Sequence, residues 1–442
     1  MPSGAWRAGS GQEPALFRRV CADDRPDDPP RAAGAVRGRA GLRKTIVSDA
    51  RVVIVLSLLL GIQPVSTDLY LPTLPAISAS LGSSAAQTQL TLSALLLAFG
   101  GSQLVWGPLS DRFGRRPILL IGLSGYVLFS FASTLVPSIE WLVAARVGQG
   151  LALGAPVMCG RAIVRDLYPP VAGARVMSRA LTGLGVLACV SAPLGALVAE
   201  LFGWRAALAA TGVFGFGLLL LVWRQFEESL AGPDHAALAL PRLLPGWGRI
   251  VGHPVFRAYA LLAAASYCGL FVILAVSSFV FIGEFGLGRQ QYGLVLLSNA
   301  LAYISGTVLC RRLLHRFAVA RTVAVGGVLA VAGGLGLLAV VTGGAHSPLA
   351  LMLPIWVYMM AHGVCQPCGQ TGALSPFPRA AGTASALSGC LMMALAFGVG
   401  RWVGSSFADP IVALSWGVAG CSIWVGLVAW LLVPRAVFQE TA

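Results

Sequence analysis

The sequence predicts an all-α membrane protein: twelve transmembrane helices in two six-helix bundles related by a pseudo-two-fold axis. Of its 442 residues, 57% are hydrophobic and 11% charged, with a mean hydropathy of +0.79. Soluble domains carry about a quarter charged residues. Apolar runs of about 20 residues, long enough to cross a bilayer, recur from Arg51 onward. Basic residues gather in alternate connections between those runs, as they do in polytopic membrane proteins. Backbone in lipid must satisfy its own hydrogen bonds, so the runs are expected to be helices, and their abundant Gly and Ala suit close helix packing.

In chain order, residues 1–48 stand apart, rich in Pro, Gly, Arg and Asp with no apolar period. They are expected to form a disordered cytoplasmic tail, and they lack the apolar stretch of a signal peptide. The N-terminal bundle is expected over 49–223, with spans near 51–71, 88–108, 117–136, 140–161, 176–201 and 204–223. Residues 72–87 carry no arginine, whereas the connection between spans 2 and 3 carries Arg112, Arg115 and Arg116. Residues 137–140 offer only Glu140, and the next connection carries Arg161, Arg165, Arg175 and Arg179. A linker over 224–256, with Pro233, Pro241 and Pro245 and with Arg224, Arg242 and Arg249, divides the spans six and six. The C-terminal bundle follows over 257–434, with spans near 257–282, 291–311, 320–342, 348–371, 382–405 and 411–433, then a tail over 435–442. Arg311, Arg312, Arg316 and Arg321 mark the connection between spans 8 and 9. The positive-inside rule therefore expects both termini in the cytoplasm. The halves echo each other: Gly107 near the end of span 2 is followed by a basic connection, and Gly306 near the end of span 8 by CRRLLHRF.

Other classes fall away. The net charge of +14 is spread among connections, so no nucleic-acid partner is expected. The nine cysteines lie almost all in apolar runs and read as small hydrophobes, Cys365 and Cys368 included. No His/Cys metal cluster and no GxxxxGK[ST] nucleotide loop occurs, so neither a metal, a cofactor nor ATP-driven pumping is expected. Of the acids, only Asp68 falls within a span. An intramembrane carboxylate is costly and points to function. It favours its protonated form in apolar surroundings and its ionised form in water, which suits a proton-coupled cycle. The competing reading is an acid held neutral by hydrogen bonds near a helix end.

Several motifs carry a family resemblance. GPLSDRFGRRP, from Gly107 to Pro117, matches the loop 2–3 signature of the major facilitator superfamily, and RVGQG, from Arg146, resembles its fourth-span motif. TDLYLPTLPAIS from Thr67, RAIVRDLY from Arg161, FGWRAAL from Phe202 and SPFPRAAGTASAL from Ser375 resemble the Bcr/CflA (bicyclomycin/chloramphenicol resistance) branch of twelve-span drug:proton antiporters. The resemblance covers about residues 50–434. Span 5 keeps Ala192, Pro193 and Gly195 of the antiporter signature, but its leading Gly pattern and its double Gly are eroded.

The resemblance implies a non-enzymatic transporter of the bacterial inner membrane, driven by the proton gradient. It would export drug-like small molecules by alternating access, as a monomer. A metabolite exporter or proton symporter of the same fold is the alternative. Spans 1 and 4 line the central cavity of that fold. By helical rise, Arg146 lies about 8 Å below the outer boundary and Asp68 about 6 Å before Pro72, so the two are expected to pair in proton coupling. Otherwise Arg146 snorkels to the interface. The resembled fold also sets Asp111 near the start of span 11. Gly107, Asp111, Arg112, Gly114, Arg115, Arg116 and Asp166 are accordingly expected to form a cytoplasmic gate. Gln103, Gln149, Ser277 and Tyr358 are the expected substrate hydrogen-bonding residues, each also able to bond helix to helix. His362 and Arg401 read as a hydrogen-bonded helix residue and a snorkelling side chain.

Overall fold

The computed structural model describes residues 49–436, apart from 169, 231, 233–239, 345–346 and 378–379. The expected tail over 1–48, most of that over 435–442, and the middle of the linker lie outside the described residues.

The first half runs α1 (Asp49–Asp68), a short turn of helix (Leu71–Thr73), α2 (Leu74–Leu81), α3 (Ala85–Phe113), α4 (Arg115–Ala132), α5 (Ile139–Leu167), α6 (Pro170–Phe202) and α7 (Trp204–Gln225). The linker contains α8 (Leu240–Gly252). The second half runs α9 (Pro254–Ser278, extended by a wider turn over Phe279–Glu284), α10 (Arg289–Arg316), α11 (Val319–Thr342), α12 (Pro348–Leu374), α13 (Ala381–Ser406) and α14 (Pro410–Leu427). Among the described residues, eleven helices are long and apolar enough to cross a membrane. The twelfth expected span is α4, whose 18 residues open with Arg115 and Arg116, which dilute its hydropathy.

The pairing of helices repeats. In the first half α3 and α4 pack on α5, α1 on α6, and α4 on α7; in the second α10 and α11 pack on α12, α9 on α13, and α11 on α14. The halves meet through α3 with α13 and α6 with α10, and these two contacts exchange under the same correspondence. The expected two-bundle fold is therefore present.

Local signals fix the helix starts. Ser84 and Gln87 form a reciprocal cap on α3, at 3.2 and 2.9 Å. Asp409 accepts the backbone N–H groups of Ile411 and Val412, which caps α14. Glycines set the closest approaches: Gly306 of α10 lies against the backbone of Met360, and Gly363 of α12 against that of Tyr303.

Two sequence expectations change. The linker was expected as loop, yet α8 is an amphipathic helix that packs on α9 and α13. The basic connections are also shorter than expected, because the helices overshoot. α3 and α5 each have 29 residues, or about 44 Å, against about 30 Å of hydrocarbon. Asp111 and Arg112 therefore sit on the last turns of α3, and Arg161, Arg165 and Asp166 on those of α5.

Candidate functional site

A cavity of about 570 Å³ lies between the halves at the arginine-rich end. α3, α5, α6, α8, α12 and α13 contribute to its wall, which includes the apolar Leu104, Pro108, Met158, Met177, Trp247 and Leu374. At the opposite end the halves are in contact. The turn over Leu71–Thr73 touches α9 and α10, and α2 touches the extension of α9. Gly293 of α10 sits beside Pro193 and Ala196 of α6, where an added Cβ would lie 3.1 Å from the Pro193 Cα. The Arg289 guanidinium donates to the Ala199 carbonyl at 3.0 Å. The conformation is thus open at the arginine-rich end and closed at the other.

The motif from Gly107 to Pro117 is almost all helix. Gly114 alone separates α3 from α4, at φ +99° and ψ 160°, a region open to glycine. Arg115 follows and is 1% exposed. It pairs with Asp111 at 2.6 Å and Asp166 at 2.8 Å, and donates to Ser110 Oγ at 2.7 Å. Arg165 reaches Asp111 at 3.8 Å. Arg116 donates to the Trp223 carbonyl, and Arg112 lies over the Phe113 ring.

The role of Glu228 was not legible in the sequence. This linker acid accepts the backbone N–H groups of Arg115 and Arg116 at 2.9 and 3.0 Å, so it sits on the N-terminus of α4. A β-carbon on Gly114 would lie 2.5 Å from its Oε2. Each of these pairs lies within the first half and its linker. Asp111 makes no bond to α13; the two only line the same cavity. Among the described residues, therefore, no ion pair of the expected gate crosses between the halves in this conformation. Gly107 lines the cavity too, where an added β-carbon would meet only Met158, at 3.7 Å.

The expected pair between Asp68 and Arg146 is not formed. Asp68 closes α1, half-buried, and accepts the Thr67 hydroxyl at 2.8 Å. It faces the seam between the halves, within electrostatic reach of Cys189 on α6 and of Tyr267 and Tyr292 in the second half. Gly195 of α6 packs directly on the Leu69 backbone beside it. The retained Pro193 and Gly195 of span 5 thus hold α6 between the end of α1 and α10.

Arg146 points the other way, fully buried in the first bundle and not snorkelling. It donates to Gln149 Oε1 at 2.6 Å and to the Ser66 carbonyl at 3.3 Å, and lies 3.8 Å over the Tyr70 ring. Gln149 in turn donates to Ser130 Oγ, and Ser66 bonds Tyr126. Residues 66 and 68 of a helix project about 200° apart, which separates the Arg146 network from Asp68.

Of the four expected substrate residues, only Gln103 lines the cavity; it is 2% exposed and its Oε1 has no partner. Gln149 serves Arg146, Ser277 bonds Tyr292 at 2.8 Å, and the Tyr358 hydroxyl donates to the Ser266 carbonyl at 3.0 Å. His362 is buried with its Nδ1 2.8 Å from Ser266 Oγ. Arg401 is exposed at the closed end. Cys368 lies nearest Cys310, with sulfurs 3.6 Å apart. Among the described residues no group of His, Cys, Asp and Glu is arranged to hold a metal.

Residues 56–401 match the family model described as Major Facilitator Superfamily. The chain is 31% identical to an uncharacterized MFS-type transporter, YdgK, of Bacillus subtilis (strain 168), over 81% of this chain and 88% of that protein. It is 30% identical to a chloramphenicol resistance protein of Pseudomonas aeruginosa, over 73% of this chain and 76% of that one. Among solved structures, the partially occluded inward-open xylose transporter XylE from E. coli superposes with a TM-score of 0.69 at 16% identity, covering 87% of this chain and 98% of that one.

Proposed function

The chain belongs to the major facilitator superfamily, and we propose that it is an efflux transporter exporting drug-like organic molecules in exchange for protons. The cavity carries this reading. Its volume of about 570 Å³ suits a drug-sized molecule, and its wall combines apolar side chains with a few polar ones. The Bcr/CflA motifs and the similarity to a chloramphenicol resistance protein support the same substrate class.

The arginine-rich end faces the cytoplasm by the positive-inside rule, with both termini there and the chain in the bacterial inner membrane. Substrate enters the cavity from that side. The halves then rock, the seam of α6 against α10 opens, and the α3–α5 charge cluster closes toward α13. Asp68, at that seam, meets water and a low-dielectric wall in turn, and so exchanges its proton. The proton gradient supplies the energy, and one chain contains both halves and a complete cavity, so the unit is a monomer.

The test is expression in a host stripped of its own pumps, followed by flux in everted vesicles. Resistance to chloramphenicol or to other compounds of a broad panel is expected to rise several-fold. Asp68→Asn is expected to abolish proton-linked flux with the protein still in the membrane. An unchanged panel sinks the export reading, and undiminished coupling in Asp68→Asn sinks the role of Asp68.

A further inference from the structure

We propose that the cavity selects amphipathic organic monoanions, seated with their anionic group on Arg161; this deepens the export reading and rests on it. By position Arg161 belongs to the basic connection after span 4. The structure instead puts it on α5, six residues before the helix ends, in the cavity wall. Its side chain crosses to the second half and donates to Ser385 Oγ of α13 at 3.0 Å.

Among the described residues, no carboxylate pairs with it. The nearby acids are already engaged: Asp166 by Arg115, and Asp111 by Arg115 and Arg165. Arg115 and Arg165 take up these two carboxylates, and among the described residues Arg161 is left without one. Sidedness does not require it there, because the other arginines at this end supply the positive charge. Arg161 is exposed to the open cavity, so an entering anion meets a hydrated guanidinium with no carboxylate on it, and the pairing strengthens as the low-dielectric walls close around it. A planar guanidinium with free N–H groups matches a carboxylate in two-pronged fashion.

Gln103 is the independent second observation. It lies on α3 in the same cavity, buried, with an amide oxygen that has no partner. An amide in that position has hydrogen-bonding capacity that a ligand can use. Met158 and Met177 offer an adaptable apolar wall for the body of the molecule. One spare cation limits the charge to one, and it repels cationic dyes.

The test measures flux in everted vesicles of N-dansyl-leucine, a monoanion, against its neutral methyl ester and against ethidium. Wild type is expected to favour the acid over the ester by about tenfold or more in kcat/KM, the scale of a charge-assisted pair. Ethidium is expected to be the poorest of the three. Arg161→Gln is expected to bring the acid-to-ester ratio to about one. Arg161→Lys, which keeps the charge without the fork, is expected to retain a ratio in between. Should Arg161→Gln not accumulate, the Lys variant and the wild-type ratio decide alone. A full preference for the acid in Arg161→Gln or in Arg161→Lys, or a wild type that moves ester or ethidium as readily as acid, overturns the proposal. Transport of chloramphenicol without N-dansyl-leucine defeats the anion site alone. Transport of no compound defeats the export reading and this proposal together.

Discussion

Replacing Arg115 by methionine tests whether the motif from Gly107 to Pro117 is a built cluster or only a signal for sidedness. Arg115 is 1% exposed and makes three side-chain bonds, to Asp111, Asp166 and Ser110. Removing one partner of a buried ion pair costs roughly 3–5 kcal/mol, mostly because the stranded charge stays buried. Asp111 is 42% exposed, so water solvates it and its share is small. Asp166 is 12% exposed and carries the main penalty. The loss should therefore fall at the low end, about 3 kcal/mol. For a bundle of this size that corresponds to a fall in Tm of roughly 6–12 °C. Unfolding of the detergent-purified protein, followed by intrinsic tryptophan fluorescence, reads it directly. Arg112→Met is the control: its guanidinium lies 5.3 Å from the centroid of an exposed Phe113 ring, and its loss should shift Tm by less than about 2 °C. Sidedness counts the two arginines equally; the cluster does not. Equal shifts for both variants, or an Arg115→Met protein melting within 2 °C of wild type, would refute the reasoning. Adding Asp166→Leu to Arg115→Met should recover about half of the loss.

Gly114→Ala is expected to destabilise by about 1–3 kcal/mol, because the backbone stands at φ +99° and the new β-carbon meets Glu228. In a Glu228→Ala background the same change should cost less; an equal cost, measured by the same melts, would argue against the contact. Gly293→Leu forces α6 and α10 apart at the closed end, so flux should fall at least tenfold, on the order of the coupling between conformations. Gly283→Leu, with nothing within 4 Å of its added β-carbon, should leave flux near wild type, and matching rates in the two variants would dissociate the seam from transport.

Helix number and order, and the gathering of arginines at one end of the bundle, were legible because each rests on a local sum: about 20 apolar residues make a span, and charge falls outside it. Asp68 stood out by elimination as the one acid within a span, and the structure sets it at the seam between the halves. The limits of the arginine-bearing connections were not legible. Hydropathy marks where lipid ends, while hydrogen bonding carries α3 and α5 well past that point.

Sequence by itself thus determined the fold class, the repeat of two halves, and the depth of each charge along its helix. Tertiary structure decided which way each charge faces. Depth follows from counting at 1.5 Å per residue, but facing turns by 100° per residue and depends on how each helix is rotated in its bundle. That is why Asp68 and Arg146, at similar depth by count, look into different surroundings. For the same reason Arg161, which read as part of a basic connection, lines the cavity, and Glu228, distant in sequence, closes the N-terminus of α4.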